Sequence, residues 1–357
     1  MNKKIIFTAG GTGGHIFPAI NLMKNLSEKG YQVLLVTDLR GKNFTKRYPE
    51  LKTLLIKAAT LTNKNLLRKL FSIFIIFYSL IQALFILKRE KPDLVFGFGG
   101  YTSFPISFVS KFFNIPLVIY ENNMTLGRAN KYLASFSKKI FISREITNKI
   151  LDKNKNKIFQ VGPILDKKII NYTESKKNNN IFSILAIGGS QGAEVFGQVI
   201  PEVIKKLNDK NFKVEINQQC IKGQQNEISN FYHKNNIKNY VFEFDKNILK
   251  LILSSDVAIT RCGASTTAEL AYTLTPFIAI PLPGSIDNHQ YLNAKYYERT
   301  GCCWVMEQKN FNVNSLYNLI ENIINNKSKL ENIRQNMKKI YGKNVYNDIE
   351  NEIKEFI

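Results

Sequence analysis

Two glycine-rich segments of the same build carry residues that could bind an anion. Residues 10–15 read Gly-Gly-Thr-Gly-Gly-His and residues 188–192 read Gly-Gly-Ser-Gln-Gly, each after a short apolar run. This pattern predicts a buried strand, a loop without large side chains and a helix start, which together bring backbone N–H groups to a phosphate. An imidazole ordinarily titrates near neutral pH, so His15 could act as a general base. Its alternative roles are orienting an acceptor phosphate and capping the next helix.

A third polar segment, 261–269, follows the apolar run 257–260 and contains small residues, hydroxyls and a carboxylate. Such a helix start could hold a diphosphate on its N–H groups while Glu269 accepts the two hydroxyls of a ribose. A helix cap made by Ser265 or Thr266, with Glu269 as its partner, fits the same spacing. The ligand interpretation is favoured because a second polar loop, 281–290, follows the next predicted strand.

The elements that must position these residues are strands alternating with helical stretches. Strands are predicted near 92–97, 115–120, 181–187, 213–217, 240–244, 257–260 and 277–281. Such alternation predicts parallel sheets, which bind ligands at the carboxyl ends of their strands. One rim of the first sheet should therefore carry His15, Tyr101, Glu121 and Asn123, with Glu121 as a second candidate base. The predicted fold class is α/β, with two Rossmann-like domains whose parallel sheets face a cleft.

Length and composition fit two domains, since 357 residues with 44% hydrophobic content can bury two cores. The four cysteines form no CxxC pair and there are three histidines, so no zinc site is predicted and the thiols should be reduced. The N-terminus runs directly into the first strand, so we expect no cleavable signal peptide.

The formal net charge of +22 has two interpretations. Compositional drift toward lysine is one, and attraction to an anionic surface is the other. Because no nucleic-acid-binding motif is present, we expect no nucleic acid partner and favour an acidic membrane.

The apolar run 70–87 supports the membrane interpretation. It contains no charged residue and nearly reaches the length of a bilayer span. A true span would put the two glycine loops on opposite sides of a membrane, so a crossover helix is favoured. Such a helix could be buried in the first domain or could keep one face in the core and the other in lipid. The flanking Arg68, Lys69, Lys88 and Arg89 would then contact anionic headgroups.

The motifs occur in the order found in the MurG family of bacterial cell-wall glycosyltransferases, which the chain resembles over nearly its whole length. The resemblance rests on residues 10–15 with Pro18, 99–101, 121–123, 188–192, 261–269, and 287–290 with Asn293 and Ala294. It implies a GT-B enzyme without a metal or other cofactor. The implied reaction is inverting transfer of N-acetylglucosamine from UDP-N-acetylglucosamine to the C4 hydroxyl of undecaprenyl-diphospho-muramoylpentapeptide. The implied location is peripheral, at the cytoplasmic face of the plasma membrane.

The same resemblance implies three segments: an acceptor and membrane domain at 1–162, a donor domain at 163–335, and a helix at 336–357 that packs back on the first domain. It implies that the donor is contacted by Thr12, Gly13, Gly14, Asn123, Ser190, Ala264, Ser265, Thr266, Thr267, Ala268, Glu269 and Gln290. Asp245 would lie beside the uracil, where the family commonly has an aliphatic residue. The family's usual arginine is missing near Leu165, and Lys167 or Lys168 could replace it.

Three other functions remain open at this point. A glycolipid synthase that adds a sugar to diacylglycerol would share the donor half. A nucleotide-dependent oxidoreductase is disfavoured because residues 11–16 lack the third glycine of the dinucleotide motif. A basic membrane scaffold would explain the charge and the apolar run, but gives no reason for the polar loops.

Overall fold

The computed structural model of the chain describes residues 3–60, 65–146, 154–171, 181–189, 192–340 and 344–357. The chain divides into two units, the first comprising Met1–Asp166 with Lys343–Ile357 and the second Lys167–Gly342. Each unit is an α/β structure on a parallel sheet, so the predicted fold class of two Rossmann-like domains is confirmed.

The first unit has a sheet whose seven described strands run in the order β3-β2-β1-β4-β5-β6-β7. These strands are β1 (Lys4–Thr8), β2 (Gln32–Thr37), β3 (Thr53–Leu55), β4 (Leu94–Gly97), β5 (Leu117–Glu121), β6 (Lys139–Ile142) and β7 (Ile158–Gln160). Its first helices are α1 (Gly13–Glu28), α2 (Leu39–Thr45), α3 (Leu66–Glu90), α4 (Phe104–Val109) and α5 (Arg128–Leu133). The strand order reverses between β1 and β4, and such a switch point forms a ligand-binding crevice at the carboxyl ends of the strands.

The period-two alternation of the strands builds a different core on each face of this sheet. On one face Ile6 packs in a cluster with Ala83 and Leu87 of α3. On the other face Phe7 and Phe96 stack with ring centroids 5.6 Å apart. Burial on both faces explains why these strands read as continuous apolar runs.

Helix α3 is the crossover connection between β3 and β4, and it packs on the sheet with its small side chains. Its buried stripe consists of Ser72, Ser79, Ala83 and Leu87. The hydroxyls of Ser72 and Ser79 donate to carbonyl oxygens of their own helix, so they are satisfied without solvent. Its large exposed apolar residues include Leu67, Leu70, Phe71, Ile73, Phe74, Phe77, Tyr78, Leu84 and Phe85.

Among the described residues, α3 is the one helix long and apolar enough to cross a membrane by length and composition. Only 22% of its most apolar stretch is buried, so the interpretation of a helix buried in the domain is wrong. Phe112 and Phe113, in the 3-10 turn that follows α4, are also exposed, and α4 packs against α3. We call this surface, from Leu67 to Phe85 on α3 with Phe112 and Phe113, the apolar face.

The second unit repeats the arrangement, with six described strands in the order β10-β9-β8-β11-β12-β13. They are β8 (Phe182–Ile187), β9 (Val214–Gln219), β10 (Lys238–Phe242), β11 (Val257–Thr260), β12 (Phe277–Ala279) and β13 (Cys303–Val305). The helices are α6 (Lys167–Ile170), α7 (Glu194–Asp209), α8 (Gln225–Lys234), α9 (Ile248–Ser254), α10 (Ala264–Tyr272), α11 (His289–Arg299), α12 (Val313–Asn325) and α13 (Lys327–Lys338). Its switch point lies between β8 and β11.

One strand prediction in this unit is shifted. The apolar pattern predicts a strand at 240–244, whereas β10 covers Lys238–Phe242. The partner strand β9 ends at Gln219, which pairs with Phe242, so the ladder stops there.

The chain returns to the first unit at its end. Helix α14 (Val345–Ile353) packs against α1, and the hydroxyl of Tyr346 donates to the carbonyl oxygen of Leu165. Lys29 forms an ion pair with Glu350. The units divide at 166/167 and 342/343 rather than at the expected 162/163 and 335/336, because α13 runs through 335 within the second unit.

Candidate active site

The crevice of the first unit is formed by the glycine loop after β1 and by Gly99 and Gly100 after β4. Thr12 is the N-cap residue of α1, and its Oγ1 lies 3.3 Å from Nδ1 of His15 in the first helical turn. A Cβ at Gly100 would lie 3.5 Å from Nδ1 of His15 and 3.1 Å from the carbonyl oxygen of Gly10. Gly99 and Gly100 both have positive φ angles. Glycine is therefore required here for the turn and for close approach of the imidazole.

The ring of Tyr101 packs against the glycine loop at Gly11. Its hydroxyl donates to Oδ2 of Asp38 at 2.8 Å, and a Cβ at Gly11 would lie 3.2 Å from its ring. Burial, together with the hydrogen bond to Asp38 and its negative charge, raises the pKa of Tyr101 to about 12. Tyr101 is therefore a protonated donor at neutral pH and not a base.

Glu121 ends β5 and is 2% exposed. Its Oε1 accepts from the backbone N–H of Asn123 at 3.0 Å and from Nδ2 of Asn123 at 3.1 Å. Its Oε2 accepts from the backbone N–H of Gly127 at 2.8 Å and from Nδ2 of Asn130 at 3.0 Å. The carboxylate thus holds the whole loop between β5 and α5 in shape.

Asn130, which belongs to none of the sequence motifs, joins this loop to the histidine side of the crevice. It is fully buried in the first turn of α5. A Cβ at Gly99 would lie 3.1 Å from Nδ2 of Asn130 and 3.5 Å from Cδ2 of His15. The structure therefore brings the His15 and Glu121 segments together on two sides of Gly99. No local sequence signal marks Asn130, because its partner is nine residues away.

The start of α10 forms the corresponding site in the second unit. Gly263 is the N-cap residue, and a Cβ there would meet no described atom within 4 Å, apart from its chain neighbours. The N–H groups at the start of a helix have no partner within the helix, so they point to the space beyond Gly263. Ser265 and Thr266 lie inside the first turn, so the alternative in which one of them is the N-cap residue is wrong.

Helix α11 fixes the loop that leads into α10. Oε1 of Gln290 accepts from the backbone N–H of Cys262 at 3.1 Å and from that of Leu282 at 3.0 Å. Nδ2 of Asn293 donates to the carbonyl oxygen of Cys262 at 3.0 Å. Because its oxygen holds two loops together, Gln290 can offer a ligand only its Nε2 donors.

Three of the expected donor contacts on α10 have buried side chains. Thr267 and Ala268 are fully buried, and Ala264 is 4% exposed. The hydroxyl of Thr267 lies 3.1 Å from the carbonyl oxygen of Gly263 and 3.2 Å from that of Ala264. Ser265, Thr266 and Glu269 are half-buried and remain the accessible part of the segment.

The side chain of Asp245 makes hydrogen bonds within its own loop and strand. Its Oδ2 accepts from the Tyr240 hydroxyl at 2.8 Å, and its Oδ1 accepts from the backbone N–H of Asn247 at 2.5 Å. These two bonds hold the carboxylate toward Tyr240 and Asn247, so an acid can replace the aliphatic residue there if backbone groups meet the base. Ser190, another expected donor contact, lies outside the described residues.

Comparisons with known proteins match both units. The Glycosyltransferase family 28 N-terminal domain matches residues 5–142, and the Glycosyltransferase family 28 C-terminal domain matches residues 183–352. The class of protein that the fold and both sites define is therefore that of the family 28 glycosyltransferases.

Individual relatives show which family of these glycosyltransferases the chain resembles. The chain is 36% identical over 98% of its length, and 97% of the relative, to the UDP-N-acetylglucosamine--N-acetylmuramyl-(pentapeptide) pyrophosphoryl-undecaprenol N-acetylglucosamine transferase of Pelagibacter ubique. It is 38% identical to the protein of the same name from Rickettsia canadensis, over 94% of this chain and 95% of the relative. The crystal structure of Acinetobacter baumannii MurG superposes with a TM-score of 0.79 at 23% identity, covering 99% of this chain and all of that one. The chain belongs to the MurG family of glycosyltransferases.

Proposed function

We propose that the second unit binds UDP-N-acetylglucosamine and that the first unit binds the lipid-linked acceptor. The chain is a glycosyltransferase that transfers N-acetylglucosamine from UDP-N-acetylglucosamine to undecaprenyl-diphospho-muramoylpentapeptide, the conversion of lipid I to lipid II. The feature that supports this division most directly is the start of α10, which is open beyond Gly263 and held by Gln290.

The donor is held at the start of α10. Its diphosphate lies on the N–H groups there, where the helix dipole favours negative charge. Glu269 accepts the ribose hydroxyls, Nε2 of Gln290 donates to the sugar, and the backbone at Asp245 meets the uracil. Lys167 and Lys168 lie on α6, which packs against α10, and they add positive charge near the same helix.

His15 is the base in this proposal. The Thr12 hydroxyl lies 3.3 Å from Nδ1 and orients the ring, and Nε2 is the atom that we assign to the acceptor. Nε2 takes the proton of the C4 hydroxyl as that oxygen bonds to the sugar C1, and the bond from C1 to the diphosphate breaks with UDP keeping the electron pair. Attack opposite the leaving group inverts the anomeric centre. Glu121 supports the loop that carries Asn123 beside this reaction.

The enzyme works peripherally on the cytoplasmic face of the plasma membrane. The apolar face would insert among the lipid chains, while exposed Arg68, Lys69 and Lys88 would meet anionic headgroups. Arg89 contributes less, because it is paired with Glu90. The burial of α3 supports this location. Its small residues face the sheet and its aromatic residues face outward, which is the reverse of the usual arrangement in a soluble protein.

The acceptor is tested by incubating the purified chain and UDP-N-acetylglucosamine with either undecaprenyl-diphospho-muramoylpentapeptide or diacylglycerol. We expect a disaccharide-linked lipid from the first and no product from the second. Product from diacylglycerol alone would establish the glycolipid synthase function instead.

The class of nucleotide is tested by thermal unfolding. UDP should raise the melting temperature of the protein, whereas NAD should not. A rise with NAD alone would favour the oxidoreductase class.

The role of Glu269 is tested by Glu269→Ala, which should weaken UDP-N-acetylglucosamine binding by about 1–3 kcal/mol through loss of charged hydrogen bonds to the ribose. Calorimetry measures this loss. Glu227→Ala is the matched control, because Glu227 is an exposed carboxylate near the start of α8 in the same unit. Unchanged affinity of Glu269→Ala would remove Glu269 from the site.

A further inference from the structure

Arg261 is a buried cation at the switch point of the second sheet. It directly follows β11 and is 7% exposed. Its Nη1 donates to the carbonyl oxygens of Ile280 at 3.2 Å and Pro281 at 3.4 Å, and its Nη2 donates to Oε1 of Gln308 at 2.6 Å. The guanidinium carbon lies 5.2 Å from the centroid of the Phe196 ring.

All four of these partners are neutral. Among the described residues no carboxylate acts on the guanidinium, and burial lowers the pKa of Arg261 because it disfavours the charged form. A buried charge without a countercharge lowers stability, yet arginine remains protonated in proteins. The hydrogen bonds alone do not require a cation, since a neutral amide could donate to the same carbonyl groups.

Two helices begin near Arg261 in the fold. Phe196 belongs to the first turn of α7, and α10 begins three residues after Arg261. The starts of both helices carry partial positive charge, and Glu194 in the first turn of α7 offsets part of it at that helix, whereas the first turn of α10 has no acidic residue. The buried charge of Arg261 and the start of α10 therefore both contribute positive potential after β11, and a polyanion bound at the start of α10 would be stabilised by both.

We propose that the buried charge of Arg261 acts through the protein on the diphosphate, raising affinity for the nucleotide diphosphate and stabilising it as a leaving group. Arg261 does this without contacting the ligand, so it is a positioning residue whose effect depends on charge. This inference rests on the proposed function, which puts the diphosphate at the start of α10.

The test compares UDP, UMP and uridine, which carry the same base and ribose with decreasing charge. Affinities are measured by calorimetry or competition for the wild type, Arg261→Met and Arg261→Lys. Arg261→Met should lose about tenfold or more in affinity for UDP, less for UMP, and nothing for uridine. Arg261→Lys keeps the charge, so it should retain most of the preference for UDP. The preference of the wild type for UDP over uridine should also persist at about 0.5 M salt, because buried charges are screened less than exposed ones.

The matched control is Arg334→Met, which removes a largely buried arginine of α13 whose neighbour Glu331 lies 3.8 Å away. It should leave all three affinities unchanged. Equal weakening of UDP, UMP and uridine by Arg261→Met would mean that Arg261 only holds the loops, and would overturn the proposal. If Arg261→Met does not fold, Arg261→Gln gives the same comparison. A wild type that does not prefer UDP over uridine would instead overturn the diphosphate site at α10.

Discussion

At the scale of single residues, the carboxylate of Glu121 is surrounded by donors. Two N–H groups point at each oxygen, from the segment 123–130. A general base must accept a proton on one of these oxygens, which would turn that acceptor into a donor facing N–H groups. Glu121 therefore fits the role of loop support better than that of base, and His15 remains the base candidate of the first unit.

Glu121→Gln should destabilise the first unit. The glutamine keeps the size of the side chain but turns an NH2 group toward two of the four donors, which should lower the free energy of unfolding by about 1–3 kcal/mol. Denaturant unfolding measures the loss. The kcat of Glu121→Gln should still decrease at low pH, as in the wild type, because His15, the proposed base, is still present. Loss of that acidic limb would assign the base to Glu121.

His15→Ala should lower kcat by roughly 10²–10⁴ while leaving affinity for UDP-N-acetylglucosamine nearly unchanged, because general-base assistance is lost. Steady-state kinetics with both substrates gives the two parameters. Thr12→Val is the companion variant: it removes only the hydroxyl that orients the ring, so its effect on kcat should be smaller. An increase confined to KM for the lipid acceptor would give His15 the phosphate-orienting role.

Sequence reasoning at this scale identified residue types but not their partners. Glycine spacing and residue chemistry point to the crevice that holds His15. The same reasoning could not show that Glu121 has four donors, that Thr267 is buried, or that Arg261 lies over Phe196. These facts depend on segments distant in sequence, which residue type and spacing do not encode.

At the scale of elements, the apolar run of α3 predicts the helix but not its orientation on the sheet. In the structure Ser72, Ser79 and Ala83 form the side that packs on the sheet. A helix that is apolar nearly all round has no clear polar face, so its orientation could not be derived from periodicity.

Ser79→Leu should therefore destabilise the protein although it replaces a polar residue by an apolar one. Ser79 is 0% exposed, and the added atoms would have to displace the helix from the sheet, at a cost of about 1–3 kcal/mol. Phe77→Ser on the exposed side of the same helix is the control and should change stability little. Thermal unfolding without lipid distinguishes the two. A stabilised Ser79→Leu would mean that α3 packs with another face.

At the scale of the whole molecule, the strand order of the second unit repeats that of the first six strands of the first unit, and a glycine-rich segment follows the first strand of each. The two loops in the sequence were sufficient to predict two such units. The return of α14 to the first unit depends on contacts such as Lys29 with Glu350 and Tyr346 with Leu165, more than 180 residues apart in each case. Separations of that size leave no local pattern.

The last prediction concerns membrane attachment, which combines the apolar face with the positive charge of the chain. Arg68, Lys69 and Lys88 should each contribute about 1 kcal/mol to binding an anionic surface, Arg89 should contribute less, and insertion of the aromatic side chains should supply the rest. Sedimentation with anionic vesicles should therefore show binding that high salt weakens without abolishing it, since salt screens only the charged part.

Replacing Phe71, Phe74, Phe77 and Phe85 together by serine should release the protein from vesicles and leave its affinity for UDP unchanged, because the second unit is untouched. The matched control replaces Phe7, which lies in the buried stack, and should impair folding rather than membrane binding. Resistance to extraction by alkaline carbonate would contradict peripheral attachment. A helix that packs on its sheet through Ser72, Ser79, Ala83 and Leu87 cannot also cross a bilayer while that sheet stays folded, so such a result would require α3 to leave the first unit.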